Sequence, residues 1–476
     1  MDPSLEPRDA YSPRLRTALV LAGTGTAGAY HAGVLRALRE AGIKIDVVAG
    51  RGIGAVGALF EAIDGASRLW EEKGFWRSSQ VRRLYRWRSA LRASAWAVTA
   101  ALAVVLVPFA LLLAGLLVYP VAFLLGVAGV DTGATLVRSY ADTLARSFSP
   151  GFLPDVLPRA LVISLAALVA VLAIIGLGVL LSARRAGRHR TAAWWRIIGA
   201  PFDASSVTRQ AMSGLWRLLG GLEGTRLPSP AEFSRAYTET LADNLGQPAC
   251  REIVLVAHDI DLRRDLVFAL IGERHRREFF KRRPGTGQDR RAGEVFDLAG
   301  VGRDHLVDAL AAALRLPVAT EAHPVRFAPE SQWRGEVHRL ADRPGATARL
   351  LDELVFAGVD QVIVVSASAE VEGPHALVTE RGDPRGRLGD YLAGAEAAGV
   401  RDAVAAAAGA FKCIFLIRPA HNPVGPLDFG GCYDERSDRW LTLAELVNRG
   451  YEDAYRSFID PIVGAGGERI EAARAE

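Results

Sequence analysis

Residues 17–60 read TALVLAGTGTAGAYHAGVLRALREAGIKIDVVAGRGIGAVGALF, and this stretch decides the fold. Thr17 to Leu21 is a short apolar run that ends at Gly23, as a buried strand does before a glycine turn. Tyr30, Val34, Leu35 and Leu38 then recur at helical spacing. Ile45 to Val48 is a second apolar run, closed by Gly50-Arg51-Gly52-Ile53-Gly54 and followed by a second helix through Phe60. Further along, Ile253 to Ala257, Val362 to Val365 and Lys412 to Ile417 read as more buried strands. Strands alternating with helices predict a three-layer α/β/α domain with a mostly parallel sheet.

The chain has 476 residues, half of them apolar, with a mean hydropathy of +0.15. That is high for a soluble enzyme, and the reason is local. No charged residue occurs between Arg92 and Asp131, and a second uncharged run covers Ala160 to Ala183. Spans at about 95–127 and 160–183 each exceed or match the roughly 20 apolar residues that cross a bilayer. Pro108 and Pro120 are expected to kink the first. Arg82, Arg83, Arg86, Arg88 and Arg92 precede the spans and Arg184, Arg185, Arg188 and Arg190 follow them; the intervening loop has only Arg138, Arg146 and Arg159. The positive-inside rule then puts both termini in the cytoplasm, with the spans forming a hairpin. Four lysines against abundant arginine, alanine and glycine suggest a GC-rich bacterial genome, hence an inner membrane.

The expected organisation is a polar tail at 1–15 and an α/β domain at 16–90 and 191–420. The hairpin at 91–190 interrupts that domain, and an extension at 421–476 follows it. The N-terminus has no apolar core, so no signal peptide is expected. Basic residues hug the predicted membrane ends without an aromatic platform, which argues against nucleic acid and for anionic lipid headgroups. Cys250, Cys413 and Cys432 lie far apart in no metal or disulfide pattern, and His275, His305 and His323 have no metal spacing. No metal and no cofactor are expected.

Gly23-Thr24-Gly25-Thr26-Ala27-Gly28 fits the dinucleotide pattern G-x-G-x-x-G, which would make the chain a membrane oxidoreductase that binds NAD(P). That reading needs an acid at the end of the next strand to hold the ribose, and Asp46 stands at its start. The residues that follow the glycines point elsewhere. Gly28-Ala29-Tyr30-His31-Ala32-Gly33-Val34-Leu35 resembles the patatin-like phospholipases, whose G-G-G-x-x-G loop opens such a helix. The resemblance covers residues 16–64 specifically and about 195–420 more loosely. It implies that the loop Gly23–Gly28 supplies oxyanion donors, with Thr24 in place of the middle glycine.

The same resemblance assigns Gly50-Arg51-Gly52-Ile53-Gly54 to the nucleophile elbow, G-x-S-x-G. Gly52 stands where the serine belongs, and glycine has no group that attacks an acyl carbon. Glycine also tolerates the strained turn, so the change relieves roughly 1–3 kcal/mol while keeping the architecture. The family's base is an aspartate in D-G-G or D-G-A before a helix and an apolar strand. Asp342, in Asp342-Arg343-Pro344, holds that place; Asp428-Phe429-Gly430-Gly431 comes too late in the family's order. Val256-Ala257-His258-Asp259 resembles another family strand. Three altered catalytic elements predict a non-catalytic relative of lipid acyl hydrolases, with phospholipids or acyl lipids as partners and protein partners unspecified. The alternatives are an active hydrolase that uses Thr24 or Thr26, and the NAD(P) enzyme.

Overall fold

The computed structural model describes residues 11–149, 151–185, 199–220, 227–281, 294–329, 333, 335–369 and 382–464. Arg188, Arg190 and the expected polar loop Arg282–Arg291 lie outside them. Contacts divide the chain into two units, residues 1–86 with 202–476, and residues 87–201.

The first unit is built on nine strands. They are β1 (Thr17–Gly23), β2 (Val47–Gly52), β3 (Glu252–Asp259), β4 (Arg264–Leu270), β5 (Glu294–Asp297), β6 (His323–Arg326), β7 (Val337–Ala341), β8 (Gln361–Ser366) and β9 (Cys413–Ile417). Their order is β9-β8-β1-β2-β3-β4-β5, with β7 also on β3 and β6 on β7. The five strands from β9 to β3 are mutually parallel. β4 and β7 run antiparallel to β3, and β5 runs parallel to β4. The expected three-layer domain with a mostly parallel sheet is therefore present.

The β1–β2 register ends at Gly23 opposite Gly52, so both glycine motifs leave the sheet at adjoining strand ends. Strand alternation explains the two helical layers. Leu19, Leu21 and Val48 enter one apolar cluster; Ala18, Val20, Ala22, Val47 and Ala49 enter the other. The first cluster takes in α1 (Ala27–Glu40), α2 (Gly54–Ala62), α3 (Ser205–Leu218), α4 (Pro230–Asp243) and α5 (Leu306–Ala313). The second takes in α6 (Thr347–Phe356) and α7 (Pro384–Ala407). Last in the chain, α8 (Leu443–Ala454) crosses α1 in backbone contact. A Cβ on Gly33 would strike the Val447 carbonyl, and one on Gly450 would strike that of Tyr30. The Tyr30 hydroxyl adds a hydrogen bond to Asp453 at 3.1 Å.

In the second unit a single helix, Ser89–Val127, runs through Pro108 and Pro120. Its segment Phe109–Val127 has 19 residues and a mean hydropathy of 2.4, long and apolar enough to cross a membrane. The second expected span falls in the helix Phe152–Arg185, whose described apolar stretch, Pro158–Ile174, is shorter. Between them the sequence reading has a loop, and the structure has a helix, Thr132–Ser147. It packs back along the first: Gly133 meets Ala122, and the Tyr140 hydroxyl donates to the Leu111 carbonyl at 2.8 Å.

Candidate functional site

Gly52 ends β2 with φ +56, the left-handed conformation that glycine adopts freely and other residues resist. The elbow backbone is thus retained. What surrounds it is not open. The Ile53 N–H donates to the Gly23 carbonyl at 2.8 Å, which turns that oxygen toward the elbow. A Cβ built on Gly52 would collide with the same oxygen, and would lie 3.1 Å from Asp342 Oδ2. A carbonyl facing this point repels developing negative charge, whereas stabilising an oxyanion needs N–H groups aimed at it.

Asp342, one residue past the end of β7, reaches the elbow, and its N–H donates to the Arg315 carbonyl at 2.9 Å. Its carboxylate is engaged by Arg51. Alternation along β2 sends Arg51 to the α6–α7 side, where its side chain is fully buried. Its guanidinium donates to Asp342 Oδ2 at 2.7 Å, to Glu396 Oε2 on α7 at 3.0 Å, and to Thr347 Oγ1 on α6 at 3.2 Å. Burial pushes both carboxyls above their ordinary range, with Arg51 pulling each back. Burial works against the charge on Arg51 too, but its two acidic partners win and hold it firmly charged. One cation between two buried carboxyls is neutral when one carboxyl keeps a proton. Asp342 Oδ1, Glu396 Oε1 and Thr24 Oγ1 are buried and have no hydrogen-bond partner among the described residues. Thr24 nonetheless lies close enough to the Glu396 carboxyl to favour its charged form.

The glycine loop is covered from outside the elbow. Thr26 donates its N–H to the Pro426 carbonyl at 2.9 Å and its hydroxyl to that of Gly425 at 2.8 Å. Gly25, at φ +58, admits this approach; a Cβ there would overlap the Pro426 oxygen. Ala27 and Gly28 spend their N–H groups on Thr24 and Gly25 in the first helical turn. The covering segment is braced by Asp428, which accepts the Gly425 N–H at 2.9 Å, and by Arg385, which donates to the Leu427 carbonyl at 3.0 Å. Phe429 stacks on Tyr85 at 5.7 Å. Asp428 therefore holds a turn of this segment.

Behind the loop, His31 on α1 is fully buried and touches the Ala22 carbonyl through Nε2 at 3.1 Å. Burial, with Arg51 nearby, lowers its pKa to about 4, so at neutral pH it is an uncharged donor. Arg343 is turned away from Asp342 to pair with Asp265, and Pro344 opens a short 3₁₀ turn, Pro344–Ala346, at a position where no N–H is needed. His258 shares Asp265 with it. Asp259, its strand neighbour, accepts two backbone N–H groups of the following turn and pairs with His338. Asp308 bridges His305 and His323. Asp46 accepts the Thr17 N–H at the start of the sheet, on the side opposite to Gly23, and the end of β2 has arginine and glycine instead of a ribose acid.

Sequence reasoning brought Gly52, Thr24 and Asp342 to this place but missed Glu396, Thr347 and the cover at Gly425–Pro426. An arginine at the end of an apolar strand signals a buried acid partner, yet nothing local marks Glu396 among the acids of α7. A concavity of about 300 Å³ lies elsewhere, against α8, with Val424, Leu441 and Leu446 among charged and polar residues such as Arg439, Glu445 and Arg449.

A family model described as patatin-like phospholipase matches residues 19–342, more than half of the chain. Patatin-like phospholipase domain-containing protein 6 of human is 46% identical over 65 residues, 13% of this chain and 5% of that protein. The mouse protein of that name matches equally. Patatin-like phospholipase domain-containing protein ZK370.4 of Caenorhabditis elegans is 58% identical over 43 residues, 9% of this chain and 3% of that one. The chain thus spans only a small part of the length of these relatives. The crystal structure of VipD from Legionella pneumophila aligns with 94% of this chain and 67% of its own, at 11% identity and a TM-score of 0.31. With its glycine loop and elbow side by side and a family match over more than half its length, the chain belongs to the patatin-like phospholipase family.

Proposed function

We propose that this chain is a non-catalytic patatin-like protein, anchored in a bacterial inner membrane. Its α/β unit lies in the cytoplasm and serves as a lipid-binding or interaction module. The observation that carries this reading is the Gly23 carbonyl, which occupies the place where a nucleophile's Cβ would stand. Arg51 supports it by holding the carboxylate that a base would use. Anchoring is supported by the apolar segment Phe109–Val127 and by the arginines that flank the two uncharged runs in the sequence.

The competing hydrolase reading has little to work with. Thr24 Oγ1 is buried, and the Thr26 hydroxyl is committed to Gly425. A fluorophosphonate probe on the detergent-purified protein separates the two readings. No labelling is expected, and stoichiometric labelling would overturn the proposal. Calorimetry with NAD(P) is expected to show no binding.

A further inference from the structure

The chain leaves the α/β unit at Arg86 and rejoins it at Phe202. Within the inserted unit the Arg88 N–H donates to the Pro201 carbonyl at 3.0 Å, so the two passages run side by side. On the α/β unit, both ends are fastened to one segment. The Tyr85 hydroxyl donates to the Leu314 carbonyl at 2.8 Å, the Phe202 N–H donates to the Ala319 carbonyl at 2.9 Å, and Phe202 bridges to Thr320.

The middle of that segment is unusual. The Ala319 N–H closes onto the Pro317 carbonyl at 2.7 Å, a γ-turn centred on Val318 at φ +64. A positive φ in such a turn is rare and strained, and for a β-branched residue it is an outlier. Packing does not explain it. Leu316 and Ala319 are buried, while Val318 is 92% exposed, so the strained backbone throws one isopropyl group into solvent. Tyr85, also at positive φ, precedes Arg86 and follows Arg82 and Arg83; these three arginines are exposed. Among the described residues they form no ion pair.

An apolar knob on the segment that fastens both ends of the departing chain, with exposed arginines just before the departure toward a segment apolar enough to cross a bilayer, has the chemistry of a lipid interface. We propose that Val318 is a membrane-surface wedge, seated at the headgroup–acyl boundary of an anionic leaflet with Arg82, Arg83 and Arg86 on its phosphates. This rests on the reading of the inserted unit as membrane-embedded.

The test uses full-length protein with Cys250→Ser, Cys413→Ser and Cys432→Ser, reconstituted into vesicles of phosphatidylcholine with a minor fraction of phosphatidylglycerol. An environment-sensitive fluorophore is attached at Val318→Cys, at Leu116→Cys in the apolar helix, and at Lys44→Cys, just before β2 at the end of the sheet opposite to the glycine loops. Quenching by lipids brominated on the acyl chain is expected at Val318→Cys and Leu116→Cys, several-fold above that at Lys44→Cys. Quenching at Leu116→Cys with none at Val318→Cys would overturn the wedge and leave the membrane reading standing. No quenching at Leu116→Cys would overturn both.

Discussion

Arg51 and Asp342 meet at 2.7 Å with both side chains buried, joining the residue before Gly52 to the carboxylate that the resemblance offers as a base. The pair is shared with Glu396, so one guanidinium serves two acids in a dry site. Removing one partner of such a cluster leaves charge without a counter-ion, at a cost of about 3–5 kcal/mol. Arg51→Met is therefore expected to lose about that much stability at neutral pH. The joint replacement of Arg51, Asp342 and Glu396 by Met, Leu and Met is expected to lose less than the single change. Thermal unfolding in detergent reads both, and equal losses would contradict the account.

The same cluster has a pH signature. Burial raises the folded-state pKa of Asp342 and Glu396 above the unfolded value. Such a carboxyl contributes stability that is full below its unfolded pKa and lost as pH rises through the folded one. Without Arg51 the carboxyls rise further, so Arg51→Met is expected to be nearer to parent at pH about 4 than at pH about 8. A destabilisation independent of pH would show that the arginine acts by packing alone.

His31 gives the opposite sign. Its folded pKa is lowered to about 4 by burial, so its contribution is present above the unfolded value and lost as pH falls toward the folded one. Between pH 7 and pH 5 this amounts to roughly 2 kcal/mol. His31→Gln, which keeps a donor for the Ala22 carbonyl, is expected to flatten the stability profile over that interval. An unchanged profile would mean that His31 titrates normally.

Gly52 and Gly42 make a matched pair, with φ +56 and φ +65. A Cβ on Gly42 meets nothing within 4 Å, while one on Gly52 meets the Gly23 carbonyl. Gly42→Ala is expected to cost the conformational term alone, about 1–2 kcal/mol. Gly52→Ala is expected to cost clearly more, by denaturant titration of both variants. Equal costs would mean that the Gly23 peptide swings away freely and that the site is open.

Much of this was legible in residues 17–60, because strand, glycine turn and helix each leave a local pattern. Val47 to Gly52 and Gly54 to Ala62 fall close to where the apolar runs put them. The family order of motifs also carried Asp342 to the elbow across nearly three hundred residues of intervening chain. Glu396 and Pro426 were not legible, since each reaches the site through tertiary packing and carries no local signal. The antiparallel β4 was missed for a related reason: Arg264 to Leu270 is buried on both faces and shows no alternation. The helix Thr132–Ser147 was read as a loop because its charges were weighed for topology and not for periodicity.

The most direct test of the central claim is phospholipase activity of the purified protein beside its Gly52→Ser variant, with folding of both checked by circular dichroism. Both are expected to be inert, the parent for want of a nucleophile and the variant because the Gly23 carbonyl and the Arg51–Asp342 pair close the site around the new hydroxyl. Hydrolysis by a folded Gly52→Ser variant would show a working hole and base. Hydrolysis by the parent that is abolished in Asp342→Ala would contradict the account outright.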